Sequence, residues 1–343
     1  MAQSSAHRSA RNIRHQYDPP RADARSGKCP FHSQPVATSL LNKNIRGLLR
    51  LARPANLFTA MADVLLGFAA SGFVLPDADW YGGYFHLTNF HTLLLLIVAS
   101  VFLYTGGVVF NDVFDADIDS KERPERPIPS GDISKASAAI FGGLLFLIGC
   151  FAAIAVSVTT LKFAGLIIAS SLLYNGWGKH HFIGPINMGL CRGLNLLLGM
   201  SASPSYMQHG WMIILIPTVF IAAVTMISRG EVHGGSTTIL NASTALYILV
   251  LAGCLSFGFM PGFQLPLSVP FLFLFSCLIF PPIFKARVDR TPFRIQAVVR
   301  ACVLSLIVLD AALAAGFAGW GYGLCVLCLL PISTYTAKYF AVT

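Results

Sequence analysis

Ten stretches of this chain stay apolar for 17 residues or longer, at roughly 55–75, 92–111, 136–157, 160–176, 186–203, 211–228, 240–260, 267–284, 296–317 and 320–338. A helix rising 1.5 Å per residue needs about that length to cross a ~30 Å hydrocarbon core. The runs are continuous, whereas a transmembrane barrel would show ~10-residue segments of alternating character. Within lipid, a chain that satisfies its own backbone segment by segment must be helical. The expected fold is therefore all-α, a polytopic bundle of nine to ten transmembrane helices, with nine if 320–338 lies in the interface. Composition agrees: 11% of residues are charged, against about 25% in soluble domains. That excludes a soluble enzyme, a disordered chain and a coiled coil.

The net charge of +9 resembles a nucleic-acid signal until its residues are located. Ten of the 24 Lys and Arg precede residue 54, and most of the rest fall in alternate connections. Segments 112–135, 177–182, 229–235 and 285–294 are basic, while 76–91, 204–210, 258–266 and 318–322 contain no Lys or Arg. The partner implied is the lipid bilayer and not nucleic acid, with the N-terminus and the basic loops on the cytosolic (or stromal or matrix) side. Residues 1–47 form a basic, Ser- and Pro-rich tail, expected to be disordered, that lacks the apolar core of a secretory signal. Its first 17 residues are compatible with an organelle transit peptide. Residues 48–343 make up one transmembrane domain. Seven of the eight cysteines lie in apolar runs and act as small hydrophobes. Cys325 and Cys328 have CxxC spacing but no second ligand pair, so no metal site is expected there.

Acids are scarce, yet seven of the 15 Asp and Glu lie between Asp112 and Asp132. Such crowding at a membrane boundary is costly without a cation. In Asn111-Asp112-Val113-Phe114-Asp115-Ala116-Asp117-Ile118-Asp119, a helical period of about 100° puts Asp112, Asp115 and Asp119 on one face and Asp117 off it. Three carboxylates beside an amide suit Mg²⁺, which takes a few carboxylates together with phosphate oxygens. Arg123 and Arg126 follow, with planar forks matched to phosphate. Pro127-Ile128-Pro129-Ser130-Gly131 then makes a stiff turn. At membrane depth, Arg192 and Asn195 stand on an otherwise apolar run, where a buried arginine is expensive and usually functional. Its candidate ion-pair partners are Asp63 and Asp310. Lys179, in the loop with His180 and His181, can add positive charge over a phosphate.

NDxxDxxxD followed by RxxRPxxSG after the second helix, with Arg-Pro-Ala-Asn at 53–56, resembles the UbiA-type intramembrane prenyltransferases. Together with ERPERPIPSG and CRGLN, the pattern looks most similar to the divergent UbiA-like branch of Ebo-type gene clusters. The resemblance implies Mg²⁺ on Asp112, Asp115 and Asp119, gripping an isoprenyl diphosphate whose allylic group alkylates an acceptor of unspecified chemistry. In place of the family's second aspartate motif stands Ser228-Arg229-Gly230-Glu231-Val232-His233-Gly234-Gly235, with a single acid. The implied catalytic set is Asp112, Asp115, Arg126, Arg192, Arg229, Glu231 and His233. Asn56, Asn111, Arg123, Lys179 and Asn195 would bind substrate. The alternative is a UbiA-like membrane binder or transporter of a prenylated or polar metabolite. An enzyme should set Glu231 or His233 across the cavity from Asp115.

Overall fold

The computed structural model describes residues 47–72, 74, 87–231 and 234–338. The N-terminal tail expected at 1–47, with its transit-peptide reading and Cys29, lies outside the described residues, Gly47 excepted. Among them the chain is helical and forms no strand. The helices are α1 (Pro54–Ala70), α2 (Leu87–Glu122), α3 (Lys135–Val156), α4 (Val158–Gly176), α5 (Gly184–Met200), the short α6 (Pro204–Gly210), α7 (Leu215–Ser228), α8 (Thr237–Ser256), α9 (Leu265–Val288), α10 (Pro292–Ala318), α11 (Trp320–Leu327) and α12 (Leu329–Thr336). Seven helical stretches are long and apolar enough to span a membrane. The 17-residue α1, the 17-residue α5 and the α11–α12 pair fill the remaining apolar runs. The segment 204–210, expected to be a loop, contains α6.

Helix ends follow local chemistry. Ser134 caps α3 by accepting from the Ser137 N–H at 3.0 Å, and Ser157 caps α4 through the Thr160 N–H at 3.0 Å. The second apolar run ends at 111, but α2, 36 residues long in all, continues to Glu122. Hydropathy marks where lipid ends, whereas a helix stops only at a breaker, here Pro124. At ~1.5 Å per residue α2 outreaches the ~30 Å core, so the acidic turns stay helical at its edge.

Of the seven long spans the most enclosed is α10, which packs against α1, α7, α9 and α11. On the outer helices, side chains such as Ile140, Phe151, Leu249 and Phe273 are exposed, as lipid-facing residues should be. Helices α1 and α5 approach through small residues: a Cβ on Gly67 would overlap the Leu196 carbonyl oxygen, and one on Gly199 would overlap that of Val64. The Tyr322 hydroxyl donates to the Leu65 carbonyl (2.9 Å) and Ser333 to that of Ala55 (2.7 Å), which pins the last helices to α1. The basic connections gather at one end of the bundle. There Arg50 donates to the Glu125 carbonyl (2.7 Å), Arg229 to that of His181 (2.5 Å) and Gly235 to that of Arg290 (3.0 Å).

Candidate active site

At this basic end the last turns of α2 carry three of their acids, Asp112, Asp115 and Asp119, inward. Asp112 and Asp119 are buried, and both reach the same nitrogen of Arg126, at 3.3 and 2.7 Å. Arg53 also donates to Asp112, at 2.5 Å. It does so from a left-handed backbone conformation with φ 44°, although the residue before a proline favours extended geometry. Such a conformation costs about 1–3 kcal/mol and persists where surrounding structure holds it. Asp115 pairs instead with Lys179 from the α4–α5 connection and accepts from Asn111 at 3.2 Å. Asp117 points away: its side chain is 92% exposed and meets Lys135 at 3.4 Å.

Below these groups a cavity of about 410 Å³ opens between α1, α2, α4, α5, α7 and α10. Asp115, Arg123, Arg126, Lys179 and Glu231 line its upper part, together with Asn56 and Asn111. Ile167, Ile221, Val224 and Leu306 give it an apolar wall. Asp112 and Asp119 do not face it directly, because Arg126 stands in front of them. Glu231 lies just past α7, is buried, and shares the cavity with Asp115. Burial raises its carboxyl above the usual glutamate range, an effect partly offset by Arg123, Arg126 and Arg53. His233 lies outside the described residues.

Two arginines stand elsewhere than a phosphate grip would require. Arg229 is not a lining residue; its guanidinium donates to the backbone carbonyls of His181 (2.5 Å) and Lys179 (3.4 Å), holding the loop that presents Lys179. Arg192 lines the cavity, but deep within it, on the ninth residue of α5, where its Nε lies 3.1 Å from Asp63. Asn195 donates to Asp63 (2.9 Å) and to the Ala60 carbonyl (2.9 Å), and accepts from Ser100 (2.7 Å). Sequence reasoning misses Arg53 and Tyr104 as site residues. The Arg-Pro-Ala-Asn run could have flagged the first; an isolated tyrosine in a helix carries no such signal.

Among the described residues, no three His, Cys, Asp or Glu side chains are gathered closely enough to hold a metal unaided. The donor set still fits Mg²⁺. Two carboxylates that reach one nitrogen atom can also reach one cation, and Mg²⁺ asks for only one or two carboxylates when phosphate oxygens complete its shell.

The sequence pattern of the UbiA prenyltransferase family matches residues 65–298, more than half of the chain. The chain belongs to the UbiA prenyltransferase family. Among its relatives, the digeranylgeranylglyceryl phosphate synthase of Methanothrix thermoacetophila is 35% identical over 160 residues, covering 46% of this chain and 55% of that one. The enzyme of the same name from Sulfurisphaera tokodaii is 23% identical over 289 residues, covering 78% of this chain and 98% of the relative. Matches to those of Saccharolobus solfataricus and Methanoculleus marisnigri span 61% and 41% of their lengths. UbiA-fold structures superpose well. A digeranylgeranylglyceryl phosphate synthase gives a TM-score of 0.59 at 20% identity, covering 80% of this chain and 99% of that one. A UbiA homologue from Aeropyrum pernix K1 gives 0.57 at 15% identity, over 74% and 96%.

Proposed function

We propose that this UbiA-family protein transfers an isoprenyl group from its allylic diphosphate to an acceptor inside the membrane, with Mg²⁺ as cofactor. The carrying observation is that Glu231, the single acid in the second-motif position, lines the same cavity as Asp115. A mere binder has no need to bring both there, and the synthase names of the relatives also favour an enzyme over a transporter.

Mg²⁺ held by Asp112 and Asp119, with phosphate oxygens completing its shell, would neutralise the diphosphate and ease its departure. The chain's own cations do the rest. Arg53, Arg126 and Lys179 pair with the carboxylates and can exchange them for phosphate oxygens when diphosphate arrives. Arg123 joins them from the cavity wall. Negative charge builds on the diphosphate as the allylic C–O bond breaks with its electron pair, and these donors are placed to meet it. The acceptor's electron pair then forms the new bond to the allylic carbon, and the acceptor's proton is released. The apolar wall of α4, α7 and α10 takes the isoprenyl chain. The positive-inside rule puts this mouth on the cytosolic (or stromal or matrix) side.

The test is direct. Purified full-length protein with Mg²⁺ and labelled geranyl, farnesyl or geranylgeranyl diphosphate, plus a panel of acceptors, should release diphosphate, and chelation should stop it. Binding of the diphosphate with no release under any of these conditions would point to the binder.

A further inference from the structure

The lower end of the cavity contains a second polar group, separate from the acidic mouth. Counting from Gly184, which packs beside Gly178 next to Lys179, Arg192 lies eight residues along α5, about 12 Å deeper. Its side chain is 6% exposed and Asp63, behind it, is fully buried. The Tyr104 ring supports the guanidinium, 5.5 Å from its centroid. Asp310 of α10, also buried, lies against Asp63. The Nη2 of Arg192 has no hydrogen-bond partner among the described residues, and the residue lines the cavity. A donor left unsatisfied in a buried site is costly and asks for a partner. With Asp63 paired to the guanidinium and Asp310 against Asp63, the cluster has no surplus positive charge to attract an anion.

We propose that this deep cluster is the polar subsite for the acceptor, where the buried, unpartnered Nη2 of Arg192 donates to an uncharged oxygen, hydroxyl or carbonyl, on an otherwise apolar molecule. Asp63 and Asn195 are positioning residues: they hold Arg192 from behind and cancel its charge. The assignment rests on the proposed prenyl transfer only in calling the ligand an acceptor; the binding chemistry stands without it.

Two photoreactive probes of equal chain length test it, a diazirine-bearing long-chain primary alcohol and the matching carboxylate, applied to the full chain in nanodiscs. In wild type the alcohol should cross-link to α2 and α5 around Tyr104 and Arg192, and the carboxylate at least several-fold less. Arg192→Gln should cut alcohol labelling about tenfold, while Mg²⁺-dependent binding of geranylgeranyl diphosphate changes by less than about twofold. The diphosphate binding also reports that the variant is folded. In the double variant Asp63→Asn/Asp310→Asn the preference should reverse toward the carboxylate, because Arg192 then carries an uncompensated charge. Equal loss of alcohol and diphosphate binding in Arg192→Gln would overturn the proposal, as would carboxylate labelling of wild type that matches the alcohol's, or absence of labelling there. Wild type that labels with alcohol but binds no diphosphate would sink the transfer reaction and leave this subsite standing.

Discussion

Four acids within eight residues on α2 have different fates, and the difference is angular. Asp112 and Asp119 turn into Arg126 and Asp115 into Lys179, while Asp117 stays in solvent. Asp112→Asn, Asp115→Asn and Asp119→Asn should each lower Mg²⁺-dependent turnover by about 10²–10³, the usual cost of losing a group that stabilises developing charge. Asp117→Asn should change it less than about twofold in the same diphosphate-release assay. Glu231 makes a separate, pH-dependent prediction. Burial raises its carboxyl, so the folded protein holds this proton to higher pH than the unfolded chain does. The stability it contributes is complete below the ordinary glutamate value and is lost as pH rises through the raised one. Thermal unfolding without ligand should therefore find Glu231→Gln more stable than wild type at pH 8, with the gap closing toward about pH 4. A gap that widened on acidification would contradict the sign.

The α1–α5 crossing sets the geometry of the deep polar cluster. Gly67 and Gly199 let the two backbones touch, which brings Asn195 of α5 within hydrogen-bond distance of Asp63 and the Ala60 carbonyl of α1. Inserting a methyl group at such a contact forces backbone shifts worth about 1–3 kcal/mol. Gly67→Ala or Gly199→Ala should lower stability by that amount in a detergent unfolding assay and loosen Arg192. Gly143→Ala on α3, where a Cβ meets nothing within 4 Å, should cost nothing measurable.

Across the whole molecule, the basic connections converge on one end and, with Arg53 at the start of α1, carry the cations of the mouth. That arrangement predicts sidedness. Cysteines introduced at Glu125 and Arg290, both exposed, should react with an impermeant reagent from the same face of sealed vesicles. One at Gln264, exposed near the Gly316 carbonyl to which its N–H donates, should react from the other. Glu125 and Arg290 on opposite faces would break up the shared mouth.

The sequence alone determined the helical membrane class, the approximate number of crossings and the inward set Asp112, Asp115 and Asp119. Each depends on a local quantity, either run length against bilayer thickness or a 100° step along one helix. The family resemblance was likewise legible in contiguous motifs. What the tertiary structure decided is the partner of each charge. Arg53 reaches Asp112 across 59 residues and Lys179 reaches Asp115 across 64. Asp63 pairs with Arg192 and Asp310 lies against Asp63, where the sequence offered the two acids as alternatives. Arg229 holds a loop by its carbonyls, although the family resemblance placed it in the catalytic set. Coulomb attraction falls with distance and has no memory of sequence order, so which carboxylate meets which cation follows from how α1, α2, α5 and α10 pack together.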